Sequence, residues 1–228
     1  MTLLDGLTAF ENCLDSDLQF TLELERSAAD LLQLMPQQED RPDADALAAA
    51  RKLLIEIEKW KAMCLKQRMG NAALNSSDAI WQAFRGAINA KNDVQSILAI
   101  MNLRGFGSAR DEETGQRRAK VASAVLRFLF PEEWGVVDWR TIVMQGLLDK
   151  VDGDVDAALK LAKRERAADL RDLYDLVDET AVCAVNSQYR TKRCSELPRT
   201  ADVEMAIFGL SVIAWPFPKS SYSLQQSV

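Results

Sequence analysis

The sequence predicts an all-α protein, and three observations carry that expectation. Apolar residues recur at helical spacing, as in Val121, Ala124, Val125, Phe128 and Leu129, which share one face of a helix. Helix-start signals punctuate the chain: Thr8-x-x-Glu11, Ser16-x-x-Gln19, Asp43 or Asp45, Asn75-Ser76-Ser77-Asp78, Asn92-Asp93 and Asp138. No segment alternates apolar and polar residues as a half-buried strand would, and no internal repeat is visible.

In chain order, Phe10, Leu14, Leu18 and Leu22 form an apolar stripe, so a first helix starts at one of the two capping boxes. The polar stretch 36–45 reads as a loop, and an Ala-, Leu-, Lys- and Glu-rich helix follows from about Ala46 to Arg68. Asn75-Ser76-Ser77-Asp78 starts a short helix and Asn92-Asp93 a further one, ending near Leu103. Residues 103–107 read Leu-Arg-Gly-Phe-Gly, then a charged run to Ala119, then the apolar helix that Pro131 terminates. Trp134-Gly135-Val136-Val137 is an extended link, and Asp138 precedes a helix of about ten residues. Residues 151–189 hold one or two more helices. A loop near Ser195–Thr200 leads to a last helix over Ala201–Ala214. This divides the chain into an N-terminal helical segment (1–45), a helical domain (46–214) with a hairpin at 103–120, and a loose tail (215–228).

Composition narrows the chemistry. The chain has 228 residues, 48% hydrophobic and 27% charged, which suits a folded domain rather than a disordered one. There is no histidine, so Ser-His-Asp and Cys-His catalysis and histidine metal sites are excluded. Carboxylates, lysines, hydroxyls or thiols must do any chemistry. Cys13, Cys64, Cys183 and Cys194 form no C-x-x-C pair, and three or four of them read as buried free thiols. Asp149, Asp152, Asp154 and Asp156 lack the order of a calcium loop and read as a turn before a helix. No cofactor or metal is expected. With no cationic start before an apolar run and no apolar stretch of about 20 residues, a cytoplasmic protein that avoids membranes is expected, in a bacterial cytosol or nucleoid.

The net charge of −6 argues against nucleic acid, but the charge is uneven. Arg104, Arg110, Arg117, Arg118, Lys120 and Arg127 cluster, interrupted by Asp111, Glu112 and Glu113. Gly105 and Gly107 flank Phe106 between two helices, a pattern that either aims backbone amides at an anion or simply caps a helix. Lys120 on the flank of its helix is either a partly desolvated amine or a surface lysine. Asp138 is either a reactive carboxylate or an N-cap.

Together, L-R-G-F-G, then A-K-V-A-S-A-V-L-R-F, then V-V-D-W-R-T resemble the helix-hairpin-helix DNA glycosylase superfamily and its 8-oxoguanine-type branch. The likeness covers about forty residues. It implies a glycosylase-like helical fold in which Gly105 and Gly107 are the hairpin glycines, Lys120 is the Schiff-base lysine and Asp138 supports base excision. Twelve residues, Ser108 to Ala119, separate the hairpin from Lys120, so either the hairpin loop is longer or Lys120 moves into the helix. Arg104 stands where a proline is usual and Trp139-Arg140 follow the aspartate, marking a divergent branch. The implied activity is DNA repair by base excision: a hydrolase that flips a damaged or modified base and cuts its glycosidic bond, with AP-lyase action if Lys120 reaches the sugar. Arg104, Gly105, Phe106, Gly107, Arg110, Arg117, Arg118, Arg127 and Arg140 are the expected DNA contacts of a monomer. The alternatives are a non-catalytic helix-hairpin-helix module that binds DNA or protein, and an all-α interaction protein in which G-F-G is only a turn.

Overall fold

In the computed structural model, residues 1–13, 15–38, 42–63, 70–107, 119–173 and 177–217 are described. Among them are eleven α-helices, two short 3-10 turns and no strand. The helices are α1 (Leu3–Cys13), α2 (Asp15–Leu34), α3 (Ala44–Met63), α4 (Ser77–Ile88), α5 (Asp93–Met101), α6 (Lys120–Leu129), α7 (Trp139–Lys150), α8 (Val155–Ala162), α9 (Ala167–Leu173), α10 (Glu179–Thr191) and α11 (Thr200–Ala214).

Local chemistry sets most of these starts. Asp43 accepts from the Ala46 amide and opens α3. Ser76 caps α4, Asn92 caps α5, Asp154 caps α8 and Asp178 caps α10, each through a side-chain oxygen on an amide of the first turn. The N-terminal expectation is corrected. Thr8 lies inside α1 and Ser16 inside α2, so neither box starts a helix. Thr2 and Asp5 exchange the capping bonds instead. The stripe from Phe10 to Leu22 is therefore divided between two helices: Phe10 is buried on α1, whereas Leu22 is exposed on α2. Residues 151–189 hold three helices rather than two. The tail also starts later than 215, because Trp215 is buried and its indole donates to the Ala162 carbonyl at 3.2 Å.

The main core is a cluster running from Leu24 on α2 to Trp215, and a second, smaller one joins Phe10 of α1 to Met205, Phe208 and Val212 of α11. The main core's largest fully buried apolar members, Trp81, Phe84, Phe106 and Phe128, each contribute about 1.5–3 kcal/mol by leaving water. Two helices are enclosed far beyond a single face. On α6 every residue from Ala122 to Leu129 is buried, and on α11 nearly every residue from Thr200 to Val212. A helix hydrophobic on all sides sits inside the fold rather than against it. Helix α1 lies along α11, where Gly6 and Gly209 let the backbones touch. A Cβ on Gly209 would overlap the Gly6 carbonyl oxygen, and one on Gly6 the Ala206 carbonyl oxygen.

Candidate functional site

The site is built around the link between α6 and α7. After Leu129 the chain turns at Pro131 and runs extended through Trp134, Gly135, Val136 and Val137. Three helices, α10, α6 and α11, hold that link. Asn186 of α10 accepts from the Gly135 amide at 2.9 Å and donates to the Glu133 carbonyl at 2.8 Å. The Tyr189 hydroxyl donates to the Val136 carbonyl, and burial pushes its pKa well above the ordinary value. Ser123 of α6 accepts from the Val137 amide at 2.9 Å while donating to the Lys120 carbonyl at 2.6 Å. Gly135 passes so close to α11 that a Cβ there would run into the Glu204 side chain.

Asp138 stands where this link meets α7. One carboxylate oxygen, Oδ1, accepts from the Arg140 and Thr141 amides at 2.8 and 3.1 Å, and Thr141 returns a bond to the Asp138 amide. This is an N-cap, as the sequence allowed, and it leaves the second oxygen available. That oxygen, Oδ2, lies 3.8 Å from the Nζ of Lys61, near the end of α3, with both side chains 19% exposed. The Lys61–Asp138 pair was not read from the sequence, where 77 positions separate the two residues. Beside it, Glu204 is fully buried, and desolvation pushes its carboxyl up to about 8. Arg127 opposes that shift, Asp138 reinforces it, and Lys61 and the Val136 amide oppose it. Near neutral pH Glu204 therefore holds its proton.

Lys120 is the first residue of α6 and half-buried. Of the two placements that the insertion allowed, the helix start is the one observed. Through Ser123, its backbone is tied to the same link that ends in Asp138.

The glycine turn lies at the end of α5. Gly105 and Gly107 both take positive φ, 87° and 106°, where side chains are disfavoured. A Cβ on Gly105 would also collide with Asn71. Asn75 grips the turn like a paired strand, accepting from the Arg104 amide at 2.8 Å and donating to the Arg104 carbonyl at 3.1 Å. The segment carrying Asn75 is itself fixed to α3. Glu58 accepts from the Gly70, Asn71 and Ala72 amides, and Arg51 donates to the Ala73 and Asn75 carbonyls. Arg104 points outward and is exposed.

Three expected DNA contacts are corrected. Phe106 is buried in the core, and its amide donates to the Leu103 carbonyl, so it anchors the turn rather than stacking on a base. Arg127 has no exposed surface. It is ion-paired with Glu25 of α2 at 2.6 Å, and Glu25 also meets Arg199 at 2.9 Å, which in turn meets Asp202 at 2.6 Å. Arg140 is also buried, donating to the Ser211 and Trp215 carbonyls at the end of α11 and stacked on Trp139 and Phe217. Both cations were misplaced because the helices that carry them are covered on sides that spacing alone leaves open. Arg110, Arg117 and Arg118 lie outside the described residues.

The remaining candidates resolve simply. Asp152 takes a left-handed turn conformation, Asp154 caps α8, Asp149 accepts from Gln145 and Lys192, and Asp156 meets the Met1 ammonium. Cys194 is exposed rather than buried. Cys183 is half-buried, and desolvation pushes its thiol up to about 11. No described helix is long and apolar enough to cross a membrane. No protein-family model, curated protein or solved structure matches the chain.

Proposed function

We propose that the protein is a DNA glycosylase that excises a damaged or modified base, with Asp138 as its reactive carboxylate. The observation that carries this reading is the state of Asp138. One of its oxygens is fixed by two helix amides, and the other is turned to a lysine at a partly exposed edge. A carboxylate held this way keeps its orientation without reorganising, as stabilisation of positive charge on a sugar requires. The exposed Arg104 on the positive-φ glycine turn supports the same reading, because a guanidinium suits a phosphate. The resemblance over residues 103–140 supplies the substrate class. An extruded nucleotide would place its C1′ against Asp138.

The test is base release from duplexes that each carry one oxidised, deaminated or alkylated base. Wild type is compared with Asp138→Asn. Asn is as good an N-cap as Asp, so the variant keeps α7 while losing the charge. Excision of at least one base, reduced about 100-fold or more in the variant, is the expected result. Salt-dependent DNA binding without excision would make the protein a non-catalytic binding module. Absence of both would refute the reading.

A further inference from the structure

We propose that the end of α8 and the turn after it form a DNA-contacting surface apart from the glycine turn, on which Lys160, Lys163 and Arg164 hold the phosphate backbone of a duplex. The choice of duplex DNA as the partner rests on the base-excision reading above.

Helical spacing puts the three cations on one face. They stand at i, i+3 and i+4, continuing the helix into its turn, while Val155, Ala158, Leu159 and Ala162 are buried on the other side. All three are exposed, and none forms an ion pair among the described residues. The acids nearby do little to cancel them. Asp156, one turn before Lys160, is engaged by the Met1 ammonium at 3.0 Å, and Glu165 is the only acid between positions 160 and 166. Arg166 adds a fourth charge, 3.8 Å from Asp169. Nor do these side chains cap the helix, because its last carbonyls have other donors. The Lys163 amide donates to Leu159 at 3.1 Å, the Arg164 amide to Leu161 at 3.0 Å and the Glu165 amide to Ala162 at 3.1 Å. The charged ends are left to solvent.

Packing ties this surface to Asp138. The Trp215 indole donates to the Ala162 and Glu165 carbonyls at 3.2 and 3.4 Å, which fixes the turn. Its ring lies 5.8 Å from that of Trp139, the residue after Asp138. The cationic turn therefore sits at the Asp138 end of α7. DNA carries one charge per about 1.7 Å of its axis, so a duplex that reaches Asp138 also offers phosphates to this turn. With Arg127 and Arg140 buried, backbone contact needs other cations, and these are exposed. A lipid surface is matched less well. No large apolar side chain is exposed on α8 or the turn after it, so a membrane would gain charge contact without apolar insertion.

The experiment is fluorescence anisotropy of an undamaged duplex across a salt series, with folding followed by circular dichroism. Wild type is compared with the triple variant Lys160→Gln, Lys163→Gln, Arg164→Gln and with a control triple, Arg26→Gln, Lys52→Gln, Lys91→Gln. The control removes the same charge from exposed cations on α2, α3 and the turn between α4 and α5. In the first variant the slope of log K against log salt should become shallower by about 2–3, and in the control it should stay at the wild-type value. Each single substitution should remove about 0.9 of the slope, so the singles decide the question if the triple fails to fold. A wild-type slope in the first variant, or an equal loss in both triples, overturns the surface and leaves base excision standing. Binding to phosphatidylglycerol vesicles that the first variant loses, with its duplex slope unchanged, overturns the DNA assignment in favour of lipid. No duplex binding by wild type removes the surface and the base-excision reading together. The expected loss of slope in a protein that releases no base from damaged duplexes supports the surface and removes base excision alone.

Discussion

Arg127 separates a structural cation from a DNA-contacting one, and its removal gives a sharp expectation. Its guanidinium is fully enclosed, with Glu25 at 2.6 Å as its ion-pair partner and a 3.5 Å contact to the Met205 sulfur. Breaking a buried pair from one side costs roughly 3–5 kcal/mol when the surviving charge is stranded. Here Glu25 is not stranded, because Arg199 remains at 2.9 Å. The charge term should fall below that range. Against this, Arg127→Ala empties the volume of the guanidinium and of the two buried methylenes beyond Cβ, each methylene worth about 0.8 kcal/mol. A net loss of about 3 kcal/mol follows. Arg127→Met fills most of the volume without burying a charge, so its loss should be under about 1 kcal/mol. Urea unfolding followed by circular dichroism measures both, with an unchanged m-value showing that only stability moved. DNA binding supplies the opposing test. A phosphate contact contributes about 0.9 to the slope of log K against log salt, and Arg127→Met should leave that slope unchanged. An Arg127→Ala variant losing less than about 1 kcal/mol, together with a shallower salt slope in Arg127→Met, would refute the buried placement.

Glu204 makes stability depend on pH in a direction unusual for a carboxylate. Its folded pKa of about 8 lies above its ordinary value of 4.5, so between those values only the native state holds the proton. The stabilisation is complete below about 4.5 and is lost as pH rises towards 8, with a slope approaching ~1.4 kcal/mol per pH unit. Glu204→Gln should flatten urea-unfolding stability across that window, and superimposable wild-type and variant profiles would refute the burial argument. Asn75→Ala removes both bonds that hold the Arg104 peptide and should cost about 1–3 kcal/mol. Hydrogen exchange at the Arg104 amide should accelerate, while unchanged exchange would show that the glycine turn holds itself.

How much of this was legible depended on the range of the interaction. The helix starts at Asp43 or Asp45, at Asn75-Ser76-Ser77-Asp78, at Asn92-Asp93 and at Asp138 could be read because an N-cap acts within three residues of itself. The all-helical class was legible for the same reason. Lys61 was passed over because its meaning comes from Asp138 on another helix. Glu204 was missed likewise, since Arg127, Lys61 and the Val136 amide reach it from three separate segments. Periodicity identifies the face of α6 that must be buried, but it cannot say whether the opposite face is covered too. Arg127 was misjudged on that account. Phe106 was misjudged differently: a residue between two turn glycines looks exposed, yet the turn folds back and drives its ring into the core.

The crossing of α1 and α11 at Gly6 and Gly209 has a consequence for the order of assembly. Neither helix has a finished surface without the other, and about 200 positions of chain separate them. Closing so large a loop is slow compared with the pairing of neighbours such as α4 and α5. During synthesis, α1 must wait with its Phe10 face uncovered until α11 emerges to meet the Phe208 ring at 6.0 Å. Helix α11 therefore completes α1 long after α1 is made, and in the interval the apolar face of α1 is open to aggregation.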